Sequence, residues 1–142
     1  GKAYQSELAR LHSYIEQKIS ELPIHKRLVI TTHDFLGYFS QAYHIQVQAL
    51  QGFTTAREIT LKRRKDLART IIERGIKAIF AEKGVSDRGV KSLVESCKLE
   101  GHPLYISEKP LYADSIGEVG TAAGSYIGMM KHNVNIIIEA LI

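Results

Sequence analysis

Short apolar runs alternate with longer amphipathic stretches along most of this chain. The runs are rich in Val, Ile, Leu or aromatic residues, as buried strands are, and lie near residues 27–32, 45–50, 77–82 and 103–107. The predicted helices that follow them lie near residues 35–43, 60–75, 86–100 and 122–141. Repeated strand–helix units need right-handed crossovers, which produce a parallel sheet with helices on both faces. The predicted fold class is therefore α/β, with a four-stranded parallel sheet in the strand order 2-1-3-4.

An amphipathic helix is also predicted before the first strand. Its apolar positions recur at steps of three and four through residues 3–22, and Pro23 ends the pattern. The length of 142 residues and the 44% share of hydrophobic residues suit one compact domain better than two. The chain opens with Gly1-Lys2 and enters the helical pattern at once. We therefore expect a piece of a longer protein.

Composition excludes several classes of protein. The single cysteine, Cys97, excludes an internal disulfide framework and a Cys-rich metal cluster. It falls on the apolar side of the helix predicted over 86–100, so we expect a small core residue and not a reactive thiol. No apolar stretch approaches the roughly 18 to 20 residues that a membrane span needs.

The densest basic run is Lys62-Arg63-Arg64-Lys65. An apolar stripe that includes Leu67 and Ile71 passes through the same predicted helix, as in a helix that packs on a core. We interpret the run as a solvated basic face, and no nucleic-acid partner is expected.

Polar side chains follow the first and fourth predicted strands. His33 and Asp34 follow the apolar run Leu28-Val29-Ile30 after two threonines, and Asp114 lies in the long loop after the last strand. The carboxyl ends of parallel strands share one edge of the sheet, where open α/β folds bind ligands. Imidazole and carboxylate are good ligands for zinc, manganese and ferrous iron. Two ligands are too few for a closed site, so the others must come from water or from a missing part of the protein.

The neighbours of this pair have other predicted roles. Asp34 is expected to cap the following helix, and Glu82, at the end of the third strand, is a candidate to orient a ligand through a hydrogen bond. Gly117, Gly120 and Gly124 match neither the dinucleotide fingerprint nor a phosphate-binding loop. The chain also has no G-x-S-x-G motif for a nucleophile.

Two further hypotheses belong to other functional classes. One is a metal-dependent hydrolase whose water is activated by His33 and Asp114. The other is an α/β module that binds a partner protein through the basic helix. The loops offer metal ligands but no natural centre for nucleophilic catalysis.

Residues 32–43, THDFLGYFSQAY, resemble the T-x-H-D-A-F-G-Y-F-x-x-A-Y motif of metal-binding solute-binding proteins. These proteins, the TroA-like family, feed zinc, manganese or iron to ABC importers. Four further stretches resemble motifs that follow one another in the family. They are Gln51-Gly52, residues 78–82, residues 111–117 and residues 124–133. The resemblance covers nearly the whole chain in the family's order.

The resemblance implies an architecture of two α/β lobes joined by a long rigid helix, with the metal in the cleft between them. Residues 1–26 would be the end of the connecting helix and a turn, and residues 27–142 the carboxyl-terminal lobe. The amino-terminal lobe, with two histidine ligands, would be missing from this sequence. His33 would be the third ligand and Asp114 the fourth.

The function implied by the resemblance is capture of a divalent transition metal, zinc, manganese or iron, and delivery to an ABC permease in the membrane. The expected location is periplasmic or otherwise extracytoplasmic, with or without a lipid anchor. A histidine at position 33 favours the zinc or mixed-specificity branches. With half of the cleft, this chain is expected to hold the metal weakly or not at all.

Overall fold

The computed structural model describes residues 1–31, 37–50, 61–80, 88–107, 111 and 126–142. Its strands are β1 (Leu28–Thr31), β2 (Gln46–Ala49), β3 (Ala78–Phe80) and β4 (Tyr105–Ser107). Its α-helices are α1 (Lys2–Ser20), α2 (Gly37–Tyr43), α3 (Leu61–Arg74), α4 (Arg88–Leu99) and α5 (Tyr126–Leu141). A short 3-10 helix, Ile24–Lys26, joins α1 to β1. These elements lie where the sequence pattern predicts them, so the α/β class is confirmed.

The four strands form one parallel sheet in the order β2-β1-β3-β4, as predicted. All four residues of β1 are buried, which explains why this strand is apolar at successive positions instead of alternating ones. The chain passes from β1 to the edge strand β2, then crosses back over β1 to β3 and on to the other edge strand, β4. Because such crossovers are right-handed, α2 lies on one face of the sheet and α3 and α4 lie on the other.

The helices pack in two groups that agree with this topology. On one side, α1 packs along α5 and also contacts α2, while on the other α3 packs along α4. None of the helices in the described ranges has the length and hydropathy needed to cross a membrane.

The first helix belongs to the same hydrophobic core as the sheet. Leu11, Ile15 and Ile19 of α1 are at most 3% exposed and join one buried cluster with Ile30 of β1 and Ile137 of α5. The division of the chain at residues 26 and 27 stays a prediction, and the core runs across it.

Glycine ends the two helices on the second face. Gly75 after α3 and Gly101 after α4 have φ angles of 64° and 80°, a left-handed conformation that glycine adopts without steric cost. In each case the next residue's N–H reaches back to a carbonyl in the last turn, from Ile76 to Ile71 and from His102 to Cys97. These Schellman ends turn the chain towards β3 and β4.

Candidate metal centre

The carboxyl-terminal edge of the sheet is defined by the residues at which three adjacent strands end. Thr31 of β1 pairs with Phe80 of β3, and Phe80 pairs with Ser107 of β4, so the three ends lie in one row. Neighbouring strands are about 4.8 Å apart, which puts the ends of β1 and β4 about 10 Å from each other. Residues that follow these two strands therefore start close enough to converge on one ion.

The predicted ligands are attached to this row but lie outside the described residues. His33 is two positions beyond Thr31, and Asp114 is seven positions beyond Ser107. Two extended residues span at most about 7 Å, which limits how far the backbone can carry His33 from Thr31. Asp34 and Glu82 also lie outside the described residues, as do the three loop glycines.

The end of β1 is firmly held. Thr31 has no exposed surface, and its carbonyl accepts a hydrogen bond of 2.7 Å from the backbone N–H of Leu50, just beyond β2. Strands on both sides pair with β1. A ligand two residues beyond such a strand has a fixed point of attachment nearby, which a metal site needs.

A histidine–tyrosine contact ties the helix after the predicted site to the first helix. The Tyr43 hydroxyl at the end of α2 lies 2.5 Å from His12 Nδ1 on α1. Tyr43 is 5% exposed, and burial, with smaller effects from Tyr126 and Glu16, raises the pKa of its phenol. Tyr43 therefore remains a neutral hydrogen-bonding group at physiological pH.

Two other histidines in the described ranges have structural contacts. His102 Nε2 lies 2.7 Å from the carbonyl oxygen of Ile76, and the carbonyl of His25 accepts a 2.7 Å hydrogen bond from Arg74 Nε. His44 follows α2 with a φ angle of 55°. Among the described residues, no group of three or more His, Cys, Asp or Glu side chains could hold a metal ion.

Cys97 is a core residue, as its place in the helical pattern predicts. Its side chain has no exposed surface, and desolvation by burial raises the pKa of its thiol to about 11. At pH 8 only about one thiol in a thousand would be ionised at that pKa.

The folded chain is therefore expected to resist thiol reagents. With Ellman's reagent at pH 8, we expect no appreciable modification of the native protein and one rapid equivalent after unfolding in urea, because the thiolate is the reactive form. Rapid stoichiometric modification of the native protein would contradict the buried position of Cys97.

Comparison with known proteins defines the class. The family described as "ZnuA: Zinc-uptake complex component A periplasmic" matches residues 1–140. The chain is 38% identical to "Zinc-binding protein TroA" of Treponema pallidum and 36% identical to "Manganese-binding lipoprotein MntA" of Bacillus subtilis. Each alignment covers 99% of this chain and 45% of the relative. The chain belongs to the ZnuA/TroA family of metal-binding solute-binding proteins, which confirms the resemblance seen in its motifs.

A solved structure supports the same assignment. The periplasmic zinc-binding protein TroA from Treponema pallidum superposes with a TM-score of 0.76 at 37% sequence identity. The match covers 98% of this chain and 50% of that structure. The chain thus spans about half the length of the relatives it matches.

Proposed function

We propose that this chain is the carboxyl-terminal lobe of a two-lobed extracytoplasmic protein that captures zinc, manganese or iron and delivers it to an ABC permease. The observation that carries the proposal is the aligned row Thr31, Phe80 and Ser107, beyond which the family-like stretches supply His33 and Asp114. The two-lobed plan is supported by the 45% share of each relative that this chain covers.

His33 and Asp114 are proposed to form one half of the binding site. A neutral imidazole nitrogen and an ionised carboxylate are the forms that bind metals, and both predominate near neutral pH for groups with ordinary pKa values. An amino-terminal lobe would add the other ligands and enclose the ion. Residues 1–26 would connect the two lobes, and residues 27–142 would form this one.

Binding, not catalysis, is the proposed activity. The relatives are named as metal-binding or substrate-binding proteins. The ion is cargo here, so the site has to enclose it and later release it, with no reaction performed on it. The relatives are also named as periplasmic proteins or lipoproteins, which supports a position outside the cytoplasm, with or without a lipid anchor.

Metal content provides the direct test. The full-length protein, purified without added metal and with anaerobic handling, is expected to contain close to one equivalent of zinc, manganese or iron by mass spectrometry. A His33→Ala/Asp114→Ala variant purified in parallel should contain little. Absence of metal from the unmodified protein would contradict the proposal.

The 142-residue chain itself is expected to fold without metal. Its core consists of apolar residues from the sheet and from both helical groups, so metal bonds are not needed to bury it. Addition of EDTA should leave the far-ultraviolet circular dichroism and the melting temperature nearly unchanged. A large cooperative loss of structure on chelation would contradict this expectation.

A further inference from the structure

The net charge of the chain is concentrated at the start of α3. Residues 62–69, here called the basic segment, contain five basic side chains and one acidic side chain, a net charge of +4. This equals the formal net charge of the whole chain. Removing the segment from the total of 19 basic and 15 acidic residues leaves fourteen of each. The rest of the molecule is therefore balanced, and the excess positive charge lies in little more than two helical turns.

Contacts at the other end of α3 locate the basic segment relative to the sheet. Arg74, the last residue of α3, donates to the carbonyl of His25 and to the side chain of Gln46, the first residue of β2. This end of α3 thus lies at the amino-terminal edge of the sheet. Arg64 is ten residues earlier, about 15 Å along the helix axis. The basic segment therefore lies towards the carboxyl-terminal edge, which also carries the candidate metal centre.

Packing buries apolar residues of this helix, whereas several of its cations are exposed. Leu67 and Ala68 are buried, whereas Lys62 and Lys65 are exposed. The acidic residue of the segment, Asp66, lies 3.8 Å from Arg69 in a solvent-exposed pair. Such pairs contribute little to stability.

The arrangement is also unfavourable for the helix itself. The first turn of α3 contains no acidic residue, although the positive end of the helix dipole favours carboxylates there and disfavours cations. Arg64 is half-buried, and its Nε is buried with no hydrogen-bond partner among the described residues. The helix dipole and the position of Arg64 therefore do not explain why the segment is basic, and its charges suit a partner outside this lobe.

We propose that the basic segment docks on an acidic surface of the permease that receives the metal. This inference rests on the proposed function. An ion that leaves the candidate centre leaves at the carboxyl-terminal edge, so a receiving protein has to contact the surfaces beside that edge. Arginine and lysine are the complements of carboxylates, and a concentrated positive patch accelerates association with an acidic surface.

The pattern of exposed apolar residues favours a protein partner over an anionic membrane. Helices that lie on membranes present large apolar side chains beside their cations. Among the described residues, every exposed large apolar side chain lies outside α3. These side chains are Tyr4, Ile24, Leu99, Tyr105, Ile106, Tyr126 and Ile142. The described part of α3 therefore offers charge without an exposed apolar anchor.

Charge reversal in matched pairs tests the proposal. The full-length protein is prepared as Lys62→Glu/Lys65→Glu and as Lys91→Glu/Lys98→Glu, since all four lysines are exposed and on helices. Association with the permease is measured in nanodiscs of zwitterionic lipid. The first variant is expected to associate at least about tenfold more slowly than the parent at low salt, and the second within about twofold of it. The difference should shrink as salt screens the charges.

Measurements of stability, lipid binding and metal binding distinguish the docking proposal from its alternatives. The first variant should keep its melting temperature, because glutamate suits the start of a helix. If the melting temperature falls, the test is repeated with Lys62→Gln/Lys65→Gln. Equal association by the two folded variants would overturn the docking proposal. Binding to permease-free anionic nanodiscs that is lost in the first variant would also overturn it and would assign the surface to lipid. Charge-dependent docking by a parent protein that binds no metal would overturn the proposed function alone.

Discussion

Replacing His33 or Asp114 by alanine is expected to weaken metal binding by the full-length protein about a thousandfold or more. Each residue is proposed to supply one ligand, and an ion that loses a ligand also loses part of its fit to the site. A loss of about 5 kcal/mol corresponds to three to four decades in affinity. Competition titration with a chelator of known affinity measures such a change.

Matched controls exist within the described residues. His25→Ala removes an exposed imidazole whose residue contributes only its carbonyl to a hydrogen bond, and Asp66→Ala removes an exposed carboxylate far along the chain from either ligand. Both controls should bind metal as tightly as the parent protein. Equal losses in the controls and in the ligand variants would show that the effect is general and not specific to the site.

The 142-residue chain alone should bind zinc or manganese weakly or not at all. The two proposed ligands would leave water at the remaining positions, and the proposed second lobe would not be there to enclose the ion. Calorimetric titration of this chain and of the full-length protein compares the two cases. Tight stoichiometric binding by this chain alone, unchanged by both substitutions, would place the site elsewhere and overturn the assignment of His33 and Asp114.

Truncating a buried residue of α1 is expected to destabilise the whole lobe. Ile15 has no exposed surface and belongs to the cluster that joins α1, the sheet and α5. Ile15→Ala should lower the free energy of unfolding by about 3 kcal/mol, from lost burial and the cavity that remains. In a chain of this size the melting temperature would fall by about 10 °C.

Ile24→Ala is the control for this change, since Ile24 follows α1 and is 77% exposed. We expect its effect on unfolding in urea to be within about 0.5 kcal/mol. Similar stabilities of the two variants would mean that α1 is not part of the common core. The comparison therefore tests directly whether the first helix belongs to the folded lobe.

The strand order could be predicted because physical rules leave few alternatives. Buried parallel strands are apolar at successive positions, as in Leu28–Thr31, and the handedness of crossovers restricts how strand–helix units combine. The burial of Cys97 could be predicted as well, because Val90, Leu93 and Cys97 share one helical face. Both inferences use periodicity or chirality, which are local properties.

Contacts between distant side chains were beyond such reasoning. His12 is an exposed residue of α1, and its ring contacts Tyr43, 31 residues away. That pairing depends on how α1 and α2 meet, which no local pattern specifies. The same limit applies to the candidate centre. The register brings the ends of β1 and β4 into one row, whereas His33 and Asp114 follow those strands in sequence segments that lack a period.

The pairing of the first helix with the last affects how the chain folds. Tyr14 of α1 donates a 2.6 Å hydrogen bond to Asn135 of α5 across 121 residues, whereas β1 and β2 pair across only 18. Local strand pairing can form while much of the chain is still being made, but contacts of high sequence separation form slowly. On the ribosome, the apolar face of α1 would stay without its partner until α5 emerges. Completion of the core thus waits until α5 has been made, and a chain that still lacks α5 exposes a surface that favours aggregation.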